Sequence, residues 1–128
     1  MTIYDDNGIS IDGDIKGWYG DDVRGRFEAY GWNVIGPIDG HDAEAVDVAL
    51  TQAEAETAKP TLIICRTVIG QGSPNRAGTA KAHGEALGGD EIAATRANIG
   101  WNYPPFEVPQ EIYAAMDARE AGRRMQGQ

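Results

Sequence analysis

The run Thr61-Leu62-Ile63-Ile64-Cys65-Arg66-Thr67-Val68 does most to limit how this chain folds. Its side chains are nearly continuous in apolar and β-branched types. A strand wetted on one face alternates polar with apolar; a strand covered on both faces does not. The run therefore predicts a parallel strand between two layers of helix. Lys59-Pro60 ends the helix before it. Residues 2–6 read as an earlier strand, and Trp32-Asn33-Val34-Ile35 as another, closed by Gly36-Pro37. Between these two, Asp21-Asp22 open a helix from Val23 to about Tyr30, with Val23, Phe27 and Tyr30 on one face and Gly31 as its stop. Asp42 caps a further helix, 43–57, whose apolar stripe is Ala43, Val46, Leu50, Ala53 and Thr57. Strand, helix, strand, helix, strand implies right-handed crossovers. The expected fold is α/β, a three-layer parallel sheet of about three strands with flanking helices. Three strands leave both sheet edges open unless another segment completes the sheet.

Beyond the apolar run lies a glycine-rich loop, Ile69 to Gly84. It is neither a Walker loop nor a Rossmann fingerprint: five residues separate Gly72 from Gly78, no Lys follows Gly78, and no third Gly falls three residues after Gly72. Loops of this length are functional or disordered. Gly89-Asp90 cap a helix of about 91–98, ended by Gly100. Trp101 to Phe106 is an extended aromatic–proline segment expected to pack across the surface. Pro109 starts a last helix, with Ile112, Ala115 and Met116 as its apolar face. Arg119, Arg123 and Arg124 make a solvated, frayed basic end, so that 110–128 is helix and tail. Trp18 and Tyr19 read as packing residues.

At 128 residues the chain is long enough for one domain, 1–128. Its net charge of −9, from 20 acidic and 11 basic residues, argues against nucleic acid or an anionic membrane as the main partner. A phosphorylated ligand stays admissible, because a metal and backbone amides bind one locally. The single cysteine, Cys65, cannot form an internal disulfide and reads as core. With no signal peptide and no run able to span a bilayer, the expected location is the cytoplasm.

Ligands of open α/β sheets sit beyond the carboxyl ends of strands. There the chain offers Asp5-Asp6-Asn7-Gly8-Ile9-Ser10. The Asn7 amide oxygen and nearby carbonyls are hard donors of the kind magnesium takes, with phosphate and water completing the shell. The same residues also make an ordinary Asn-Gly turn. Calcium of the EF-hand type is excluded by spacing: counting from Asp5 puts Ile9 and Ser10 at a ligand position and at the invariant Gly.

Tyr4 to Gly13 resembles the second half of the thiamine diphosphate motif of transketolases. Four further segments follow in the family's order: Phe27-Glu28-Ala29-Tyr30-Gly31-Trp32, Asp39-Gly40-His41-Asp42, Thr67 to Asn75, and Trp101 to Pro109. The resemblance implies that Asn7 ligates Mg2+ and contacts the diphosphate. It implies that the Ile9 carbonyl ligates the same ion, with the Ile9 side chain beside the thiazolium ring. His83 matches a histidine that reaches the diphosphate and the bound sugar, and so is the catalytic and substrate-binding candidate. His41 is read as orienting its turn. The family often carries another histidine where this chain has Ala80. Transketolases move a two-carbon ketol unit between sugar phosphates. The full-length family is homodimeric and draws a glutamate from a second domain. The motif's opening Gly-Asp-Gly is expected upstream of Met1, so the chain is expected to be a split subunit, a truncation or an excised fragment of the diphosphate-binding domain. Alone it is expected to be inactive and to need sugar phosphates and a complementary transketolase chain. The alternatives are a non-catalytic interaction domain and a related synthase of the 1-deoxyxylulose-5-phosphate type.

Overall fold

The structure, a computed structural model, describes residues 1–127. Its sheet has three parallel strands: β1 (Thr2–Asp6), β4 (Asn33–Asp39) and β5 (Thr61–Arg66), in the order β1-β5-β4. The apolar run is the middle strand, and Thr61 to Cys65 are buried without a break. Leu62 and Ile63 are 1% exposed, and burying each contributes about 1.5–3 kcal/mol. Successive side chains of β5 point to opposite faces. Ile63 and Cys65 meet helix α2 (Ala43–Ala55) through Ala49 and Ala53, with Ile35, Ile38 and Leu50 packed around them. Ile64, on the other face, shares a cavity with Val23 and Arg24 of helix α1 (Val23–Ala29). Helices on both faces of a parallel sheet are the expected architecture.

Two of the three expected N-terminal caps form; at Gly89-Asp90 the helix already begins at Gly89 and no side chain caps it. The Asp22 carboxylate accepts from the Gly25 amide (3.0 Å), and Asp42 from the Glu44 and Ala45 amides (3.0 and 3.4 Å). The stripe of α2 is shifted from the expected one. Ala49 and Ala53 are buried and Val46 and Leu50 half-buried, while Ala43 is exposed and Thr57 lies past the helix end. Two alanines let the helix approach the sheet closely, and the larger residues flank the contact. On α1, Val23 and Phe27 are half-buried. Tyr30 is exposed and meets the Phe27 ring edge-on, at 5.9 Å between centroids.

Strand β4 does not stop at Gly36-Pro37. It continues to Asp39 with a register shift between Ile35 and Ile38. Proline lacks a donor, but β4 is an edge strand and pairs only with β5, so the loss falls at the irregularity. Gly36 (φ +98°) is required there: a Cβ would come within 2.5 Å of the Ile64 carbonyl oxygen.

The expected loop 7–20 contains a hairpin, β2 (Ile9–Ser10) with β3 (Gly13–Asp14). The loop after β5 contains a short helix, α3 (Lys81–Gly84), and leads to α4 (Gly89–Asn98). The final helix after Pro109 is α5 (Gln110–Met116). Only Ile112 of its expected apolar face is half-buried; Ala115 and Met116 are exposed. Arg119–Gln126, expected as a frayed end, forms helix α6. Ion pairs Arg119–Asp117 and Arg123–Glu120 support its first turn. The expected tail's last residue, Gln128, lies outside the described residues. Phe106 stands fully exposed with φ +66°, so the aromatic–proline segment is not packed down along its length. Trp101 and Tyr103 contact each other edge-on instead.

Candidate functional site

The carboxyl ends of all three strands lie level. Asp5 is opposite Cys65, and Asp6 and Asp39 are each opposite Arg66. The segments that leave these ends therefore share one rim. Asn7 leaves β1 in a side-chain-closed turn: its Oδ1 accepts from the Ile9 amide (2.9 Å), and its Nδ2 donates to Asp5 Oδ2 (3.2 Å). The other Asp5 oxygen accepts from the Thr67 hydroxyl at the end of β5. A chain of bonds thus runs Thr67–Asp5–Asn7–Ile9 and fixes which way the Asn7 carboxamide faces.

The hairpin decides where the Ile9 carbonyl points. The Ile15 amide donates to the Gly8 carbonyl (3.0 Å), and Ile9 stands opposite Asp14. Antiparallel pairs alternate between bonded and non-bonded. Gly8/Ile15 is bonded, so Ile9/Asp14 is not, and the Ile9 amide and carbonyl turn away from the hairpin partner. Asn7 Oδ1 keeps a second lone pair after accepting from Ile9. Two hard neutral oxygens, two residues apart, are therefore free at the carboxyl end of β1. Among the described residues no group of three or more His, Cys, Asp or Glu is arranged to hold a metal. The donor set fits a magnesium ion that takes few protein oxygens and the rest from phosphate and water.

These residues line a cleft of about 660 Å³ with Tyr4, Asp5, Ile15, Trp18 and Tyr19. Trp18 and Tyr19, both expected as packing, are 89% and 48% exposed on its wall. Burial pushes the Tyr4 phenol up, and the Asp6 carboxylate adds to the effect; Asp5, Asp12 and Asp14 make the rest of the lining acidic.

His41 lies on the adjoining rim. Its amide donates to Asp39 Oδ1 (2.9 Å), and its Nε2 accepts from the Val68 amide (2.7 Å), which puts the ring proton on Nδ1. It ties the Asp39–Asp42 turn to the start of the glycine loop. His83 sits on α3, exposed, and is not among the described residues lining the 660 Å³ cleft. The structure thus brings Asn7 and Ile9 together in one cleft and places His83 on the segment that leaves β5. Sequence reasoning missed Asp5 and Thr67. Their only signal was position, an acid and a hydroxyl at the ends of two strands later found to be neighbours. It also missed Glu91, whose carboxylate binds that loop. The Ser73 hydroxyl, then the Asn75 side chain and amide, pull the Glu91 carboxyl down to about 2.

A family model described as "Transketolase, thiamine diphosphate binding domain" matches residues 1–128. The chain is 58% identical to transketolase 1 of Escherichia coli over 123 residues, covering 96% of this chain and 19% of that one. It superposes on the transketolase of Leishmania mexicana with a TM-score of 0.87 at 32% identity, covering 98% of this chain and 19% of that one. A transketolase of Pichia stipitis in complex with sedoheptulose-7-phosphate gives a TM-score of 0.86 at 34% identity, with 98% and 19% covered. The chain spans about a fifth of the length of the relatives it matches.

Proposed function

The chain belongs to the transketolase family, within its thiamine diphosphate binding domain, and from that premise we propose that it supplies one wall of a cofactor site for ketol transfer between sugar phosphates. In this reading Asn7 Oδ1 and the Ile9 carbonyl hold Mg2+, and the ion carries the diphosphate. The observation that supports it is that the Ile9 carbonyl turns away from its hairpin partner beside Asn7 Oδ1, which keeps a lone pair after accepting from the Ile9 amide. The Ile9 side chain and the apolar wall of the cleft exclude water from the cofactor ring. His83 donates to a phosphate or sugar oxygen; an imidazole suits both tasks. Thiamine diphosphate supplies the carbanion-stabilising chemistry when bound.

The chain spans about a fifth of the transketolases it matches; in this reading it carries no ketol transfer alone and works with complementary transketolase sequence, in a homodimer of the family kind and in the cytoplasm. An interaction domain is the second reading. The observation favouring it is that β1 and β4 each pair only with β5, which leaves an open edge on both sides.

Thermal melts test the first reading. A ligand that binds only the folded state raises the midpoint. Thiamine diphosphate with Mg2+ should raise it for the chain, or for the chain mixed with the remainder of a transketolase, and Asn7→Ala should remove the rise. A cooperative melt unmoved in both settings defeats the reading.

A further inference from the structure

The segment between β5 and α4 is rich in glycine, yet it is gripped. Glu91, in the first turn of α4, is only 9% exposed. Its Oε1 accepts from the Ser73 hydroxyl and from the Asn75 amide (2.9 Å); its Oε2 accepts from the Asn75 side chain (2.9 Å). Ser73 is itself 4% exposed, and its oxygen also accepts from the Arg76 amide (3.3 Å). At the far end of α4, the Asn98 side chain donates to the Gly72 carbonyl (2.9 Å). Gly72 (φ +91°) passes so close to Ile99 that a Cβ would lie 2.6 Å from its Cγ2.

An acid in the first turn of a helix gains from the dipole while fully solvated. Burial adds a cost that only well-placed donors offset. Three donors from one three-residue stretch of loop are what offsets it here. We propose that Glu91 is a positioning residue whose carboxylate locks residues 73–76 onto α4 and so sets where the rest of the loop, His83 included, leaves the body of the protein. The same donors keep the carboxylate charged far below neutral pH. The lock is independent of what His83 binds, and its test needs no cofactor, so it stands or falls apart from the function proposed above.

The test is native-state trypsin cleavage of the full chain and its variants. Arg76 and Lys81 report the loop; Arg24 and Arg66 report the body. Glu91→Ala should raise cleavage at Arg76 and Lys81 relative to Arg24 and Arg66 by about tenfold or more, because local opening loses three bonds. Glu91→Gln should give a smaller rise: its carbonyl still accepts from Ser73 and the Asn75 amide, but its NH2 faces the Asn75 side chain. The two histidine rings give a second readout. The His83 proton signals should shift in both variants while those of His41 stay in place. Unchanged loop cleavage, an equal rise at all four sites, or wild-type chain cut as fast in the loop as when unfolded would each overturn the proposal. If Glu91→Ala does not fold, Glu91→Gln and Ser73→Ala decide it, and an unchanged ratio in both overturns it.

Discussion

Gly40→Ala probes the rim where the strand ends meet. The added Cβ would lie 2.6 Å from Thr67 Cγ2, with Arg66 O at 3.1 Å and Cys65 Cβ at 3.2 Å. The first contact is roughly 1 Å inside the usual carbon–carbon separation, and the other two are tight without overlap. Overpacking of this kind costs about 1–3 kcal/mol. The smaller backbone entropy of an unfolded alanine returns about 0.4–1 kcal/mol. The net loss is about 1–2 kcal/mol, or roughly 3–7 °C in Tm for a domain of this size. The clashing atom is a methyl group, so Thr67→Ser should rescue: it removes Cγ2 and keeps the hydroxyl that bonds Asp5. Thr67→Val keeps the methyl and should not rescue. Urea titration of the three singles and both doubles measures the coupling. We expect at least ~1 kcal/mol in favour of the Ala–Ser pair. Additivity within about 0.5 kcal/mol, or rescue by valine as well, would refute the argument.

Ile63→Ala opens a cavity under Ala49 and Ala53 and should cost about 2–5 kcal/mol, read as a fall in the urea midpoint. Glu91 gives the acid limb of stability its shape. Its folded value lies below its ordinary 4.5, at about 2, so its contribution is complete above pH 4.5 and is lost as pH falls toward 2. Glu91→Gln should flatten that limb of a Tm-versus-pH curve and leave the neutral region sloped as before. Cys65 is 6% exposed, and burial followed by the Asp5 charge pushes its thiol up. Alkylation should therefore wait for urea, and rapid modification of native protein would contradict the packing described.

The sheet was legible because β5 lacks alternation and helix caps have a local signature. Asp22 and Asp42 hold their helices where the sequence puts them. What escaped were features set by neighbours distant in sequence. Pro37 ends a strand by local rule, but an edge position lets β4 pass through it. The Asp12-Gly13 pair does carry a hairpin signal, yet the flanking pairs are only two residues long. Asn7 was legible as a hard-donor residue and the Ile9 carbonyl only through the family resemblance; the direction of that carbonyl follows from the Gly8–Ile15 bond. Glu91 carries no local signal, since nothing near it in sequence reveals that Ser73 and Asn75 come to it.

The order β1-β5-β4 also governs when the sheet can exist. β1 and β4 are made first, yet each finds its hydrogen-bonding partner only in β5. Thr2 waits for Leu62, and Asn33 for Thr61. Within this segment the three-stranded sheet therefore has no ladder until the apolar run is made, and the β2–β3 hairpin can pair before it. Contacts of such long sequence separation form slowly. Until then the earlier strands present bare edges to whatever is nearby, so the folding of this segment turns on the arrival of six residues near its middle.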